Sequence, residues 1–137
     1  MLRASGSGFN VDRFVKKTVL PAVRVYRRGE ARRPRSAPKG PKHATSGFTV
    51  PVSNATWSNL AAQIADAERF LKKHRDELGR LSRCRGLEVL LLDFPIELRI
   101  GKKTGRSKVA AQSDRFPASL VRAAGTLGIG LELTIYG

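Results

Sequence analysis

Three carboxylates, Asp93, Glu97 and Asp114, are the side chains in this 137-residue chain best suited to acid–base chemistry. Asp93 and Glu97 are four apart, so a strand would place both on one face. Two carboxyls can act as acid and base when their surroundings split their pKa values. The same residues are equally explained as solvated, or as partners of Arg99 and Arg115. No nucleophile or oriented base accompanies them, so no catalytic residue is expected. His74 falls within an apolar stripe and reads as a structural histidine, while His43 lies in a polar stretch and reads as solvated. Ser113-Asp114 precedes a helix and is explained by local capping. Cys84 is the only cysteine. It has no companion at metal-ligand spacing, so neither a metal site nor a disulfide is expected. Gly101-Lys102-Lys103-Thr104-Gly105 suggests a phosphate loop, but that loop needs a glycine where Ile96 stands. Gly125, Gly128 and Gly130 sit at a helix end, the wrong context for a dinucleotide fingerprint. No cofactor is expected.

What remains is charge. The formal net charge is +15, a field that favours polyanions and acidic partners. Residues 1–47 hold twelve basic side chains against Asp12 and Glu30, a net of +10, and residues 48–137 hold fourteen against nine, a net of +5. One cluster is Arg24, Arg27, Arg28, Arg32, Arg33, Arg35, Lys39 and Lys42. A second is Arg99, Lys102, Lys103, Arg106 and Lys108. A third, Lys72, Lys73, Arg75, Arg80, Arg83 and Arg85, falls on the end of a helix. Lysines and arginines on loops neutralise phosphates without reading bases, which gives salt-sensitive, sequence-tolerant binding. The first two clusters are therefore the expected nucleic-acid-binding residues of a non-enzymatic protein. A charged, solvated surface accounts for the same residues, and an acidic protein is the alternative partner. Aromatic interleaving is limited to Tyr26 and Trp57.

The elements that would carry these groups follow from periodicity. Asn10 suits the N-cap of a short helix over 11–19, ended by Leu20-Pro21. Residues 22–26 alternate as a strand. Residues 27–46 mix arginines and lysines with Pro34, Pro38, Pro41, glycines and serines. They cannot bury apolar surface, so a solvated loop or arm within a single domain, 1–137, is expected. Phe48, Val50 and Val52 alternate as an edge strand that can pair with 22–26. Trp57, Leu60, Ile64, Ala67, Leu71, His74, Leu78 and Leu81 recur at spacings of three and four. They predict one long amphipathic helix over 56–83, packed on the chain's own sheet or on a coiled-coil partner. Strands are expected over 87–92 and 96–100, with a hairpin turn at 101–105 and a return over 109–112. A helix follows from Pro117 to about Thr126, then a strand over 129–135. The order predicts an α+β fold: a mostly antiparallel sheet of about five strands, with a long and a shorter helix on one face.

Gln63-Ile64-Ala65-Asp66-Ala67 with Phe70-Leu71, Leu92-Asp93-Phe94, Ala111-Gln112-Ser113-Asp114-Arg115-Phe116-Pro117, and Gly128-Ile129-Gly130-Leu131-Glu132-Leu133 ending in Tyr136 carry a resemblance. Over residues 46–136 the chain resembles a group of small uncharacterised bacterial α+β proteins. That resemblance implies a single α+β domain and brings in an immunity-type role against a toxin, but it implies no chemistry. The basic 27–46 segment and the Lys/Arg-rich 102–108 segment depart from the group's pattern. No apolar run approaches the roughly 20 residues of a membrane span, and no secretory h-region opens the chain. A cytoplasmic protein without a membrane contact is the expectation.

Overall fold

A computed structural model describes residues 1–101, 103, 104, 107, 108 and 110–137. The chain runs β1 (Leu2–Gly6), α1 (Val11–Val15), β2 (Arg24–Tyr26), β3 (Ala31–Arg33), β4 (Ala37–Lys42), β5 (Ser46–Val50), α2 (Leu60–Lys73) and α3 (Arg75–Ser82). It continues through β6 (Val89–Glu97), β7 (Lys103–Thr104), β8 (Ser107–Lys108), α4 (Ala118–Thr126) and β9 (Gly130–Tyr136). Five strands form one sheet in the order β2-β5-β1-β6-β9. The sheet is mixed, not mostly antiparallel: β6 and β9 pair in parallel from Leu91↔Gly130 to Glu97↔Tyr136. A parallel pair needs a crossover, and here α4 lies between the two strands in sequence and packs on both β9 and α2.

The sheet has two unlike faces because side chains alternate along each strand. On one face Leu2, Ala4, Phe48, Val50, Leu92 and Phe94 are buried. They join Ala67, Phe70 and Leu71 of α2, Leu78 and Leu81 of α3, and Leu120 and Ala124 of α4 in one apolar core. The other face carries Arg3, Thr49, Arg24 and Asp93, which the strand register sets side by side. Arg3 lies opposite Thr49, and Thr49 opposite Arg24.

Five further expectations change. The strand over 48–52 is not an edge strand: β5 lies between β2 and β1 and ends at Val50, so Pro51 falls outside it and removes no ladder hydrogen bond. The opening residues, assigned no element from sequence, form the central strand β1, whose Leu2 and Ala4 are buried between β5 and β6. The long helix over 56–83 is two helices, broken at His74, whose φ of −109° and ψ of 21° leave the helical region. No glycine or proline marks that break. It lets α3 turn Leu78 and Leu81 into the core. The two strands expected over 87–100 are one, because Pro95 does not interrupt β6. Asp93 and Glu97 donate their amides on the β1 side, to the Met1 and Trp57 carbonyls. Pro95 shares that side beyond the register of β1, where no strand needs its missing amide hydrogen. Its carbonyl accepts from the buried Gln63 side chain at 2.9 Å. Finally, residues 27–46 contain an antiparallel ribbon, β3–β4, with Ala31 opposite Lys42 and Arg33 opposite Ala37. Among the described residues, no helix is long and apolar enough to cross a membrane.

Candidate nucleic-acid interface

The ribbon is held at its base. The Arg28 amide donates to Ser46 Oγ at 3.0 Å, the Gly29 amide to the His43 carbonyl at 2.8 Å, and the His43 amide to the Glu30 carbonyl at 2.8 Å. Gly29 has φ 85°, a left-handed conformation that a Cβ would strain, and it closes the turn from β2 into β3. Arg27 fixes the same turn to α1. Its guanidinium reaches Asp12 at 2.6 Å and Glu30 at 3.2 Å. The hydrogen bonds from Arg27 hold the Asp12 carboxyl below its ordinary range, and the two carboxylates in turn raise Arg27. With this base fixed, Arg32, Arg33, Arg35, Lys39 and Lys42 are all exposed along the ribbon.

Beneath the ribbon, on the polar face of the sheet, lies an open cleft of about 700 Å³. Arg3, Arg24 and Arg32 line it together with Tyr26, His43 and Thr49. The Tyr26 and His43 rings are stacked, with centroids 4.4 Å apart and planes at 23°. Tyr26 can lie across the sheet because its strand partner is Gly47. A Cβ on Gly47 would stand 2.6 Å from Tyr26 Oη and 2.4 Å from the Ala4 carbonyl oxygen. Arg3 is held by the buried Asp93, whose carboxylate accepts from Arg3 at 2.5 Å and from Thr134 Oγ1 at 2.6 Å. Among the described residues, Arg24 and Arg32 have no carboxylate within ion-pair distance. Cations of that kind keep their full charge available to a phosphate.

The thirteen cations expected from sequence therefore divide. Arg24 and Arg32 meet in the cleft, and Arg33, Arg35, Lys39 and Lys42 stand exposed on the ribbon. Arg27 is a structural pin. Arg28 lies close enough to Glu88 to act on it: that carboxyl is held low chiefly by the Ser7 hydroxyl, with Arg28 adding its charge. Arg99 is bound to Asp114 at 2.7 Å, so its charge is already matched. Lys103 and Lys108 pair across the short β7–β8 ribbon. Lys102 and Arg106 lie outside the described residues. Of the third cluster, Arg80 pairs with Glu77 at 3.1 Å, while Lys72 and Arg75 line a cleft between α2 and α4 with Arg122. Sequence reasoning missed Arg3, and it did not bring Tyr26, at the end of the 22–26 strand, together with His43 of the 27–46 loop.

Asp93 stands apart from Asp114, which lies near the Glu97 backbone. Asp93 is engaged by Arg3 and Thr134 on the sheet. Asp114 is held by Arg99 and by the Gln112 amide at 3.0 Å, and that amide also donates to the Glu97 main-chain carbonyl. Asp114 thus approaches the backbone of Glu97, and no contact links it to Asp93. His74 packs against the Phe70 ring at 4.8 Å, as a structural histidine does. Burial pushes the Cys84 thiol up, away from the reactive thiolate. Among the described residues, no cluster of histidine, cysteine and carboxylate side chains could hold a metal ion. Comparison of the chain with protein-family models, with curated proteins and with solved structures gives no match.

Proposed function

We propose that this chain is a non-enzymatic nucleic-acid-binding protein that takes single strands with little sequence preference, using the cleft beneath the β3–β4 ribbon. The observation that carries the reading is the Tyr26–His43 stack beside Arg24 and Arg32. A single strand presents phosphates at regular intervals and bases that seek a flat partner, and sheet-borne aromatics flanked by arginines match both needs. Arg33, Arg35, Lys39 and Lys42 would follow the backbone away from the cleft. None of these contacts reads a base edge, so sequence preference is weak.

The test is fluorescence anisotropy with a labelled thymidine oligonucleotide and with a duplex, each at low and moderate salt. The reading requires binding that weakens with salt and a preference for the single strand. Absence of binding at low salt would overturn it. Copurification of one acidic protein, with no affinity for either oligonucleotide, would replace it with the adaptor or immunity-type reading.

A further inference from the structure

A second cleft, of about 330 Å³, lies where α1 meets the end of α3. Its position follows from two glycines, Gly6 and Gly86. A Cβ on Gly6 would stand 1.8 Å from the Gly86 carbonyl oxygen, and one on Gly86 would stand 2.2 Å from the Gly8 carbonyl oxygen. Only bare backbone lets the β1–α1 connection lie directly on the α3–β6 connection. This brings Phe9 and Phe14 beside Cys84 and Arg85.

The cleft combines two kinds of surface. Phe9 and Phe14 form its apolar floor, and both rings continue into the core against Phe48. Arg13, Lys17, Arg80 and Arg85 surround the rim. Arg80 is paired with Glu77. Among the described residues, Arg13, Lys17 and Arg85 have no ion-pair partner. A small volume with an aromatic floor and a cationic rim selects for shape and charge together. Water satisfies the cations alone, and a simple apolar molecule leaves them idle. A flat ring bearing an anionic group uses both surfaces.

We propose that this cleft binds a small aromatic anion, a monoester phosphate or a carboxylate, with its ring on Phe9 and Phe14 and its charge among Arg13, Lys17 and Arg85. The site shares no lining residue with the Tyr26 cleft, so it stands or falls separately from the nucleic-acid reading. Cys84, the only cysteine of the chain, lines the cleft and reports on its occupancy.

The experiment follows carbamidomethylation of Cys84 by neutral iodoacetamide at mildly alkaline pH, with 1-naphthyl phosphate titrated in. The expected result is a saturable, several-fold slowing of labelling at millimolar ligand. Inorganic phosphate at equal concentration should slow it little. The variant carrying Arg13→Glu and Lys17→Glu changes only exposed side chains and should keep its circular dichroism while losing the protection. Three results would each overturn the proposal: no saturable protection, equal protection by inorganic phosphate, or undiminished protection in the folded double variant.

Discussion

Tyr26 and His43 stack face to face, 4.4 Å between ring centroids, although seventeen positions of chain separate them. Tyr26 ends β2 and His43 follows β4, so the contact exists only because the intervening segment folds back as a ribbon. The pair stands at the base of that ribbon, over the one stretch of β5 where a glycine leaves room for a ring. Bases of a bound strand should stack on this pair. Tyr26→Ala or His43→Ala should weaken binding of a thymidine oligonucleotide by about 1–3 kcal/mol, the range for loss of one base–aromatic stack. For Tyr26→Ala the slope of affinity against salt should be unchanged, because the substitution removes a stacking ring and leaves Arg24 and Arg32 in place. Anisotropy titrations at several salt concentrations separate the two quantities.

Asp12 governs the ribbon from outside it. Its carboxylate takes the Arg27 guanidinium, and Arg27 closes the turn into β3. Asp12→Asn should raise amide hydrogen exchange over residues 27–46 and leave the rest of the sheet protected. The pH dependence has a definite sign. The folded pKa of Asp12 is lowered by Arg27, so its contribution is complete above the ordinary carboxylate range and is lost as pH falls through the lowered value. Exchange over 27–46 should accordingly depart from the rest of the sheet only in acid.

Gly86 joins two parts of the molecule. Its φ is 79°, and a Cβ there would meet the Gly8 carbonyl oxygen at 2.2 Å. Gly86→Ala should cost about 2 kcal/mol or more, since left-handed strain alone is worth about 1–2 kcal/mol and the clash adds to it. Urea denaturation measures the loss as a lower midpoint. Gly125→Ala is the control. No heavy atom lies within 4 Å of a Cβ at that position in α4, so the midpoint should hold or rise slightly.

His74 predicts a second pH effect. Burial lowers its pKa, with the Lys73 charge acting in the same direction and Glu77 opposing. The fold therefore favours the neutral ring, and the unfolded chain binds its proton more readily. Stability from this residue is present above about pH 6.5, the ordinary histidine value. It is lost as pH falls below that value through the lowered folded pKa. His74→Gln should flatten the dependence of the urea midpoint in that window.

The chain shows its local elements plainly and its long-range ones poorly. The α4 helix and β9 are visible because Leu120, Ala124 and the alternating Leu131 and Leu133 mark buried faces. The pairing of β2 with β5 follows from two alternating runs joined by one polar segment. The β1 strand is hidden because Leu2-Arg3-Ala4-Ser5-Gly6 is short and half polar. It forms because β5 and β6 supply partners on both sides, and those lie about forty and ninety residues away. The break at His74 is hidden for a related reason: no residue there disfavours a helix, and tertiary packing turns α3.

The candidate site divides in the same way. Composition finds the arginines of the ribbon, but it cannot tell Arg32, which has no acid partner among the described residues, from Arg27 and Arg99, which do. Both acids, Asp12 and Asp114, lie fifteen positions from the arginine they hold. Arg3 escapes notice because only the sheet register brings it into line with Arg24.

That division among the arginines supplies the most direct test. The salt dependence of single-strand affinity is measured for the wild-type chain, for Arg24→Ala with Arg32→Ala, and for Arg99→Ala. Each phosphate contact contributes about −0.7 to the logarithmic slope for a single strand. The cleft pair should flatten the slope by about 1.4, and Arg99→Ala should leave it unchanged, because its charge is already spent on Asp114. Equal effects from both variants, or a wild-type affinity indifferent to salt, would contradict a binding cleft beneath the ribbon.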